Sequence, residues 1–362
     1  MLVIDAIHGI GLNRPLEETV CTLIQHINRL GVDVVAVDIP SGISADSGQV
    51  LGGCPNASLT VTFGRPKPGH FLLPGKEFCG EVVVADIGIG RDIFASQPQT
   101  TRLNGPALWL DALPVPSQAG HKYDRGHAVV VGGGLEDSLG AAHLAAESAL
   151  TTGAGLVSLV IRGPGSGYFS SLSPSLMVEN IETKEELASF LKDERKNALV
   201  MGPGCGISDW TYILTSEILS LSRKVVLDAD ALNCFAGSSH ELFKLTSSET
   251  VLTPHEGEFN RLFGFSPEED KLTRAKKASG LSGAVIVLKG SDTIIADPSG
   301  LAVINRNGPA TLATAGSGDV LSGMIAGLMA QGCSPFDASC IGVWCHAFAA
   351  EQIGVSLTSF DL

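Results

Sequence analysis

Apolar residues arrive in short blocks that end on glycine or an acid, and the blocks alternate with longer helix-like stretches. Leu2–Asp5, Val32–Asp38, Ala57–Phe63 and Glu81–Asp86 come first, each with the length and composition of a strand. Between the first two, the spacing predicts a helix from about Leu16 to Leu30. The first strand and Val32–Asp38 read as buried, and Asp5, Asp38 and Asp86 close their blocks. Parallel strands with acids at their carboxyl ends form a Rossmann-like arrangement, in which ligands bind along that edge.

The rhythm restarts at Tyr123 and continues to the end of the chain. Tyr123–Gly134 predicts a strand running into a glycine turn, and GAAHLAAESALTTGAGLVSLV predicts a small-residue helix, a turn and a second strand. NALVMGPGCG (Asn197–Gly206), KVVLDADALN (Lys224–Asn233) and Ala284–Leu288 add further strands ending in glycines, acids or lysine. Gln97–Lys122 has weak periodicity interrupted by Pro106, Pro114 and Pro116, so the domain boundary is expected there. The division is residues 1–100, a linker over 101–122, and a second domain over 123–362. A length of 362 residues is large for one core and suits two.

The densest chemistry is NGPATLATAGSGDVLSG, Asn307–Gly323. Gly316, Ser317 and Gly318 let consecutive backbone N–H groups converge on a phosphate, and a helix predicted over Val320–Ala330 adds the positive end of its dipole. Asp319 stands beside that anion hole as a candidate general base, and Gly323 and Gly327 thin one side of the helix for close packing. A tight turn with an aspartate cap is the simpler reading of GxGD alone.

Three further segments have two readings each. Asp228 and Asp230 could hold Mg²⁺ or a substrate hydroxyl, or could cap a helix. His255, after Pro254 in LTPHEGEF, suits a helix cap or a substrate contact. Lys289-Gly290-Ser291-Asp292-Thr293 suits a nucleotide phosphate or a hairpin turn.

A formal net charge of −14 argues against nucleic acid as partner, since a polyanion demands a basic face. Glycine loops can still hold nucleotide phosphates with few lysines. No apolar run reaches the ~18 residues needed to span a bilayer, and the eight cysteines lack CxxC spacing, which predicts reduced, mostly buried thiols and a cytoplasmic setting.

The Asn307–Gly323 run, with the ordered segments around it from about Arg102 onward, resembles the ribokinase-like NAD(P)H-hydrate dehydratases. DAIHGIG, DIPSG and TVTFGRPKPG resemble the NAD(P)H-hydrate epimerase domain. The resemblance implies an α/β protein: a partial Rossmann-like N-terminal domain followed by a ribokinase-like αβα domain. It implies that Ala141, Gly204, Gly206, His255 and Asp319 contact the hydrate, with Asp319 as base. Lys289, Gly290, Ser291, Asp292, Thr293, Gly316, Ser317 and Gly318 would bind the donor, ADP favoured over ATP, with Mg²⁺. In the first half, His8, Gly9, Ile10, Gly11, Leu12, Asn13, Arg14 and Pro15 match the phosphate-side loop, Asp38 the acid near the reacting carbon, and Asp5 and Ser41 the K⁺ ligands. The family's nucleotide loop upstream of the Asp5 strand has no counterpart in this sequence, so the epimerase half is expected to be partial. The implied partner is NAD(P)HX, with no nucleic acid and no membrane, and a homo-oligomer is expected. A thiamine-precursor kinase of the same fold is the alternative, disfavoured by DIPSG and TVTFGRPKPG upstream.

Overall fold

The computed structural model describes residues 1–97, 99–134, 139–163, 174–266, 268–354 and 357–362. The chain forms two compact units, Met1–Arg102 with Pro267–Thr273, and Leu103–Ser266 with Arg274–Leu362.

In the first unit, β1 (Leu2–Asp5), β2 (Asp33–Val37), β3 (Leu59–Phe63) and β4 (Glu81–Ala85) form a parallel sheet in sequential order. The helix α1 (Glu18–Leu30) follows β1 and ends on Gly31 in the left-handed region. Val34 and Ala36 of β2 are buried with Ala57, as alternation on a sheet face requires. The first strand departs from its expected burial, because Leu2 and Ile4 are 60% and 67% exposed and only Asp5 is buried. As an edge strand, β1 has a neighbour on one side alone.

The second unit is built on a ten-stranded sheet, and the boundary between the units falls within its first strand, β5 (Thr101–Leu103). The others are β6 (His127–Gly134), β7 (Leu156–Arg162), β8 (Met177–Asn180), β9 (Lys196–Met201), β10 (Lys224–Leu227), β11 (Thr250–Leu252), β12 (Val285–Leu288), β13 (Ile294–Ala296) and β14 (Ala302–Ile304). Their order is β5-β14-β13-β12-β11-β10-β9-β6-β7-β8. Strands β6 to β12 pair in parallel, and β12, β13 and β14 turn back antiparallel.

Both faces of this sheet are dry. Ala128, Val130, Val200, Val226 and Val287 join one core, yet their neighbours Val129, Val131, Leu199, Val225 and Leu288 are equally buried. Strands covered on both faces need the continuous apolar runs seen in the sequence.

Three helices fill that first core: α2 (Leu139–Thr151), α5 (Ser317–Ala330) and α6 (Pro335–Ile353). Helix α5 is apolar on nearly every face and crosses α2 at its glycines. A Cβ on Gly323 would lie 2.0 Å from the Ala145 carbonyl oxygen, and one on Gly327 2.6 Å from that of Ala149. Ser148 adds a hydrogen bond to the Val320 carbonyl at 2.9 Å. The close packing expected at both glycines is therefore present, and it anchors the start of α5.

Candidate active site

Four parallel strands, β9 to β12, deliver their carboxyl ends to one edge, where open α/β sheets place ligands. Gly202, just after β9, has φ 125°, and a Cβ there would fall 1.8 Å from the Asp228 carbonyl. Only glycine lets the β9 loop pass so close to the end of β10.

Asp228 is buried and fully engaged. It caps the short helix α3 (Ala229–Asn233), accepting from the Ala229 N–H at 2.8 Å. The same oxygen accepts from the Lys289 ammonium at 2.8 Å, and the buried Ser322 hydroxyl donates to the other. Of the readings open for Asp228, capping is realised, together with an ion pair to the lysine that ends β12. Asp230, in the first turn of α3, accepts from the Gly206 N–H at 2.9 Å, which ties the loop after β9 to the same edge.

Lys289-Gly290-Ser291-Asp292-Thr293 forms the turn between antiparallel β12 and β13, as the hairpin reading expects. Thr293 closes it by donating to the Gly290 carbonyl at 2.7 Å. Lys289 nonetheless reaches the glycine loop, since a Cβ on Gly318 would sit 3.2 Å from its Nζ. Burial works against the lysine charge, but Asp228, Glu258 and Asp319 outweigh it and raise the pKa above the ordinary lysine value.

The helix at the loop begins earlier than the sequence pattern indicates. Gly316, at φ 88°, is the N-cap and α5 starts at Ser317, so Asp319 lies inside the first turn and is not itself the cap. The first-turn N–H groups have no carbonyl four residues back and point out of the helix end. The Ser317 hydroxyl is turned inward, donating to the Leu312 and Thr314 carbonyls at 2.8 and 3.0 Å.

Asp319 is half-buried, and its pKa is pushed up to about 6. Burial is the main cause, the negative charge of Asp228 adds to it, Lys289 opposes it, and Asp230 and Glu258 add smaller repulsions. A carboxyl poised near neutrality in the open first turn of a helix is suited to proton transfer.

His255 caps α4 (Glu256–Phe263). Its Nδ1 accepts from the Gly257 N–H at 2.9 Å, and Glu258 returns the bond by accepting from the His255 N–H at 2.9 Å. The ring remains 55% exposed, with Nε2 3.3 Å from the buried Glu258. Glu258, which the motif reading passed over, is thus the charge that links the cap to Lys289 and Asp319. Ala141 lies half-buried in the first turn of α2, the helix whose Leu144 lies against Gly316.

A pocket of about 240 Å³ opens beside the loop, lined by Lys289, Gly290, Ser291, Thr293, Ser317 and Gly318 on one side and by residues of the 305–313 loop and α6 on the other. Asp292 is buried in the turn. From α6 the pocket receives His346, which no motif indicated; its one signal is a buried histidine on a helix whose buried positions are otherwise mostly small or apolar.

In the first unit, Asp5 and Ser41 are brought together. Ser41 donates its hydroxyl and its backbone N–H to the two Asp5 oxygens at 2.6 and 2.7 Å, and accepts from the His8 N–H at 2.9 Å. Gly9–Pro15 continue as a largely exposed loop, with a turn closed by Leu12 N–H on the Gly9 carbonyl. Asp38, at φ 70°, accepts from Lys67, from the Thr62 hydroxyl and from the Phe63 N–H. Burial raises its pKa, but these bonds and the Lys67 charge together hold it below the usual carboxylate value. Lys67 sits within TVTFGRPKPG, a motif the sequence reading used only for its resemblance.

Residues 128–357 match the family model described as NAD(P)H-hydrate dehydratase. The chain belongs to the NAD(P)H-hydrate dehydratase family. Residues 1–69 match the YjeF-related protein N-terminus. A bifunctional NAD(P)H-hydrate repair enzyme of Coxiella burnetii is 36% identical over 97% of this chain and 71% of its own length. A ribokinase-like superfamily protein of Enterococcus faecalis superimposes with a TM-score of 0.63 at 25% identity, covering 71% of this chain and 89% of that one. An ADP/ATP-dependent NAD(P)H-hydrate dehydratase of Bacillus subtilis, crystallised with ATP and Mg²⁺, gives 0.61 at 26% identity over 73% of this chain and 94% of that one. A dehydratase is a lyase, and this family assignment decides against the thiamine-precursor kinase. Among the described residues no helix is long and apolar enough to cross a membrane.

Proposed function

We propose that the second unit dehydrates the S form of NAD(P)HX to NAD(P)H at the expense of a nucleotide, with ADP favoured over ATP, and that Asp319 is its general base. The observation that carries this reading is Asp319, at about pKa 6, in the first turn of α5 beside Lys289.

Asp319 takes the proton of the hydrate's ring hydroxyl, and the oxygen attacks the donor's terminal phosphorus as the bond to the leaving nucleotide breaks. The first-turn N–H groups of α5 and the Lys289 ammonium stabilise the charge on the transferring group. The new phosphate ester leaves as phosphate while the neighbouring ring carbon loses a proton, which restores the double bond. Ala141, Gly204, Gly206 and His255 are proposed to hold the hydrate, and the Lys289–Thr293 turn with Gly316, Ser317 and Gly318 the donor.

Among the described residues no three potential metal ligands cluster, and Asp228 is committed to Lys289 and Ser322. The described residues offer no side-chain cage for Mg²⁺; when bound, the ion would come with the donor's phosphates and neutralise their charge.

For the first unit we propose interconversion of the R and S hydrates. Asp38 would work at the reacting carbon and the His8–Pro15 loop at the phosphate side. The oxygens of Asp5, Ser41 and the His8 carbonyl converge, with the Ser41 hydroxyl 3.3 Å from that carbonyl, a donor set suited to K⁺. A cytoplasmic homo-oligomer is the setting proposed for both activities.

The test supplies purified protein with S-NADHX and either ADP or ATP and follows the reduced-nicotinamide absorbance. Its recovery supports the reading, whereas phosphorylation of a thiazole or pyrimidine alcohol in its place overturns it.

A further inference from the structure

Apart from the Asp5–Ser41 contact, the first unit holds a second polar cluster, built around Asp38. Asp38 directly follows β2, and Thr62 and Phe63 close β3 beside it, so the cluster stands at the carboxyl edge of the parallel sheet. The Lys67 ammonium, the Thr62 hydroxyl at 3.0 Å and the Phe63 N–H at 3.3 Å all donate to the same carboxylate oxygen, Oδ1. Lys67 also donates to the Thr62 hydroxyl at 2.7 Å, which ties the donors to one another. Oδ2 receives no hydrogen bond from the described residues, and with the side chain 17% exposed it stays open to solvent. The carboxylate is thus saturated on one oxygen and open on the other.

The main chain beneath it is held as well. Asp38 has φ 70°, a left-handed conformation that strains a residue with a side chain and persists only where the surroundings impose it. His70 is buried there, with Nδ1 accepting from the Lys67 N–H at 3.1 Å and Nε2 2.9 Å from the Asp38 carbonyl. A backbone N–H can only donate and a carbonyl can only accept, so the ring is neutral with its hydrogen on Nε2. One imidazole therefore joins the main chain of Asp38 to that of Lys67. The turn that carries it, Pro68–His70, is pinned in turn: Gly69 donates to the Ala45 carbonyl at 2.7 Å, and a Cβ on Gly69 would lie 2.3 Å from the Ser44 carbonyl oxygen.

A carboxylate free to rotate offers two interchangeable oxygens at no fixed place, whereas reaction at one carbon needs one acceptor held in register. We propose that Lys67 and His70 are positioning residues for epimerisation, holding Asp38 so that Oδ2 alone meets the hydrate's hydroxyl. Lys67 fixes the carboxylate through Oδ1, and His70 fixes the backbone on which it stands. This rests on the epimerase reading of the first unit given above.

The experiment gives the full chain R-NADHX without nucleotide, which leaves phosphoryl transfer idle, and follows the S form by chromatography above the rate without protein. Lys67→Met should lower kcat about tenfold or more, the size of one hydrogen bond to a charged group, while KM changes by less than about twofold. Lys67→Arg, which keeps a cation, should recover part of that loss. His70→Leu should lower kcat likewise, and His70→Gln, which keeps a donor for the Asp38 carbonyl, should recover part.

A pH profile separates positioning from folding. The charged or titratable groups facing Asp38 are Lys67 and the neutral His70, and β3 adds only the neutral Thr62 and Phe63 donors. Lys67 holds the Asp38 carboxyl down, so in Lys67→Met the acid limb of kcat should move up by about one pH unit or more, whereas His70→Gln should leave it in place. Thr62→Val, nearly isosteric, removes one Oδ1 donor and should lower kcat with KM held, so the outcome does not depend on the lysine variant folding. Unchanged kcat and acid limb in Lys67→Met overturn the proposal, as does a loss confined to KM. If the intact protein does not speed the interconversion at all, the epimerase reading itself fails, and this inference with it.

Discussion

Lys289 and Asp228 meet at 2.8 Å across the carboxyl ends of β12 and β10, and the Asp228 side chain is only 2% exposed. The pair fixes the ammonium against Gly318 and sets the field in which Asp319 titrates. Lys289→Met leaves Asp228 buried without its counter-charge. It should cost about 3 kcal/mol, the low end for a broken buried pair because the lysine is partly exposed. Urea denaturation measures this.

The Asp319 pKa has two consequences with worked signs. As a base it must be ionised, so kcat should rise between pH 5 and pH 7 with a midpoint at about 6. Lys289 opposes the upward shift, so Lys289→Met should move that midpoint further up. A pH–rate profile of both proteins checks the pair of expectations.

Stability follows the same group. Its folded pKa lies above the ordinary value of 3.8, so the folded chain holds the proton more tightly, and this contribution is full below 3.8 and lost as pH rises through about 6. Asp319→Asn removes that loss and should be more stable than the native chain at pH 8, by on the order of 1 kcal/mol after allowance for partial exposure. At pH 3.5 the two should match in thermal unfolding.

The contact between α5 and α2 predicts a graded series. Gly323→Val forces a side chain onto the Ala145 carbonyl and should destabilise by about 3 kcal/mol or more, with Gly327→Ala milder at about 1 kcal/mol. Gly140, in the first turn of α2, has no atom of the described residues within 4 Å of a Cβ, and Gly140→Ala should be neutral or stabilising by about 0.5 kcal/mol. Chemical denaturation of the three variants orders them.

His255 separates cap from substrate contact. His255→Ala should lose about 1 kcal/mol of stability with the cap. His255→Asn retains an acceptor for the Gly257 N–H and should keep that stability, while the KM for the hydrate rises if the imidazole also contacts it. An unchanged KM in both variants would leave His255 a cap alone.

What was legible in the sequence was whatever depended on local pattern. The strand Leu2–Asp5, the glycine-lined ends of the central strands and the α5 glycines were all visible because strand length, turn residues and small-residue spacing are written along the chain. The burial of β1 was misread because exposure depends on which elements cover a strand, and its own residues carry no sign of that. The helix start at Ser317 was placed three residues late, because glycine, serine and aspartate serve equally well as turn or first helical turn. Glu258, Ser322 and His346 stayed hidden for a common reason. The groups that tie them to the site, Lys289, Asp228 and Ser317, lie 29 or more residues away in sequence and meet them only through the fold, although Glu258 also has a local capping bond with His255.

The most direct test of the account is turnover of S-NADHX by Asp319→Asn with ADP or ATP, beside nucleotide affinity measured on the same protein. The account predicts a loss in kcat of about 10²–10⁴-fold, the size of a general-base contribution, with nucleotide binding retained. Unchanged turnover in Asp319→Asn would contradict it.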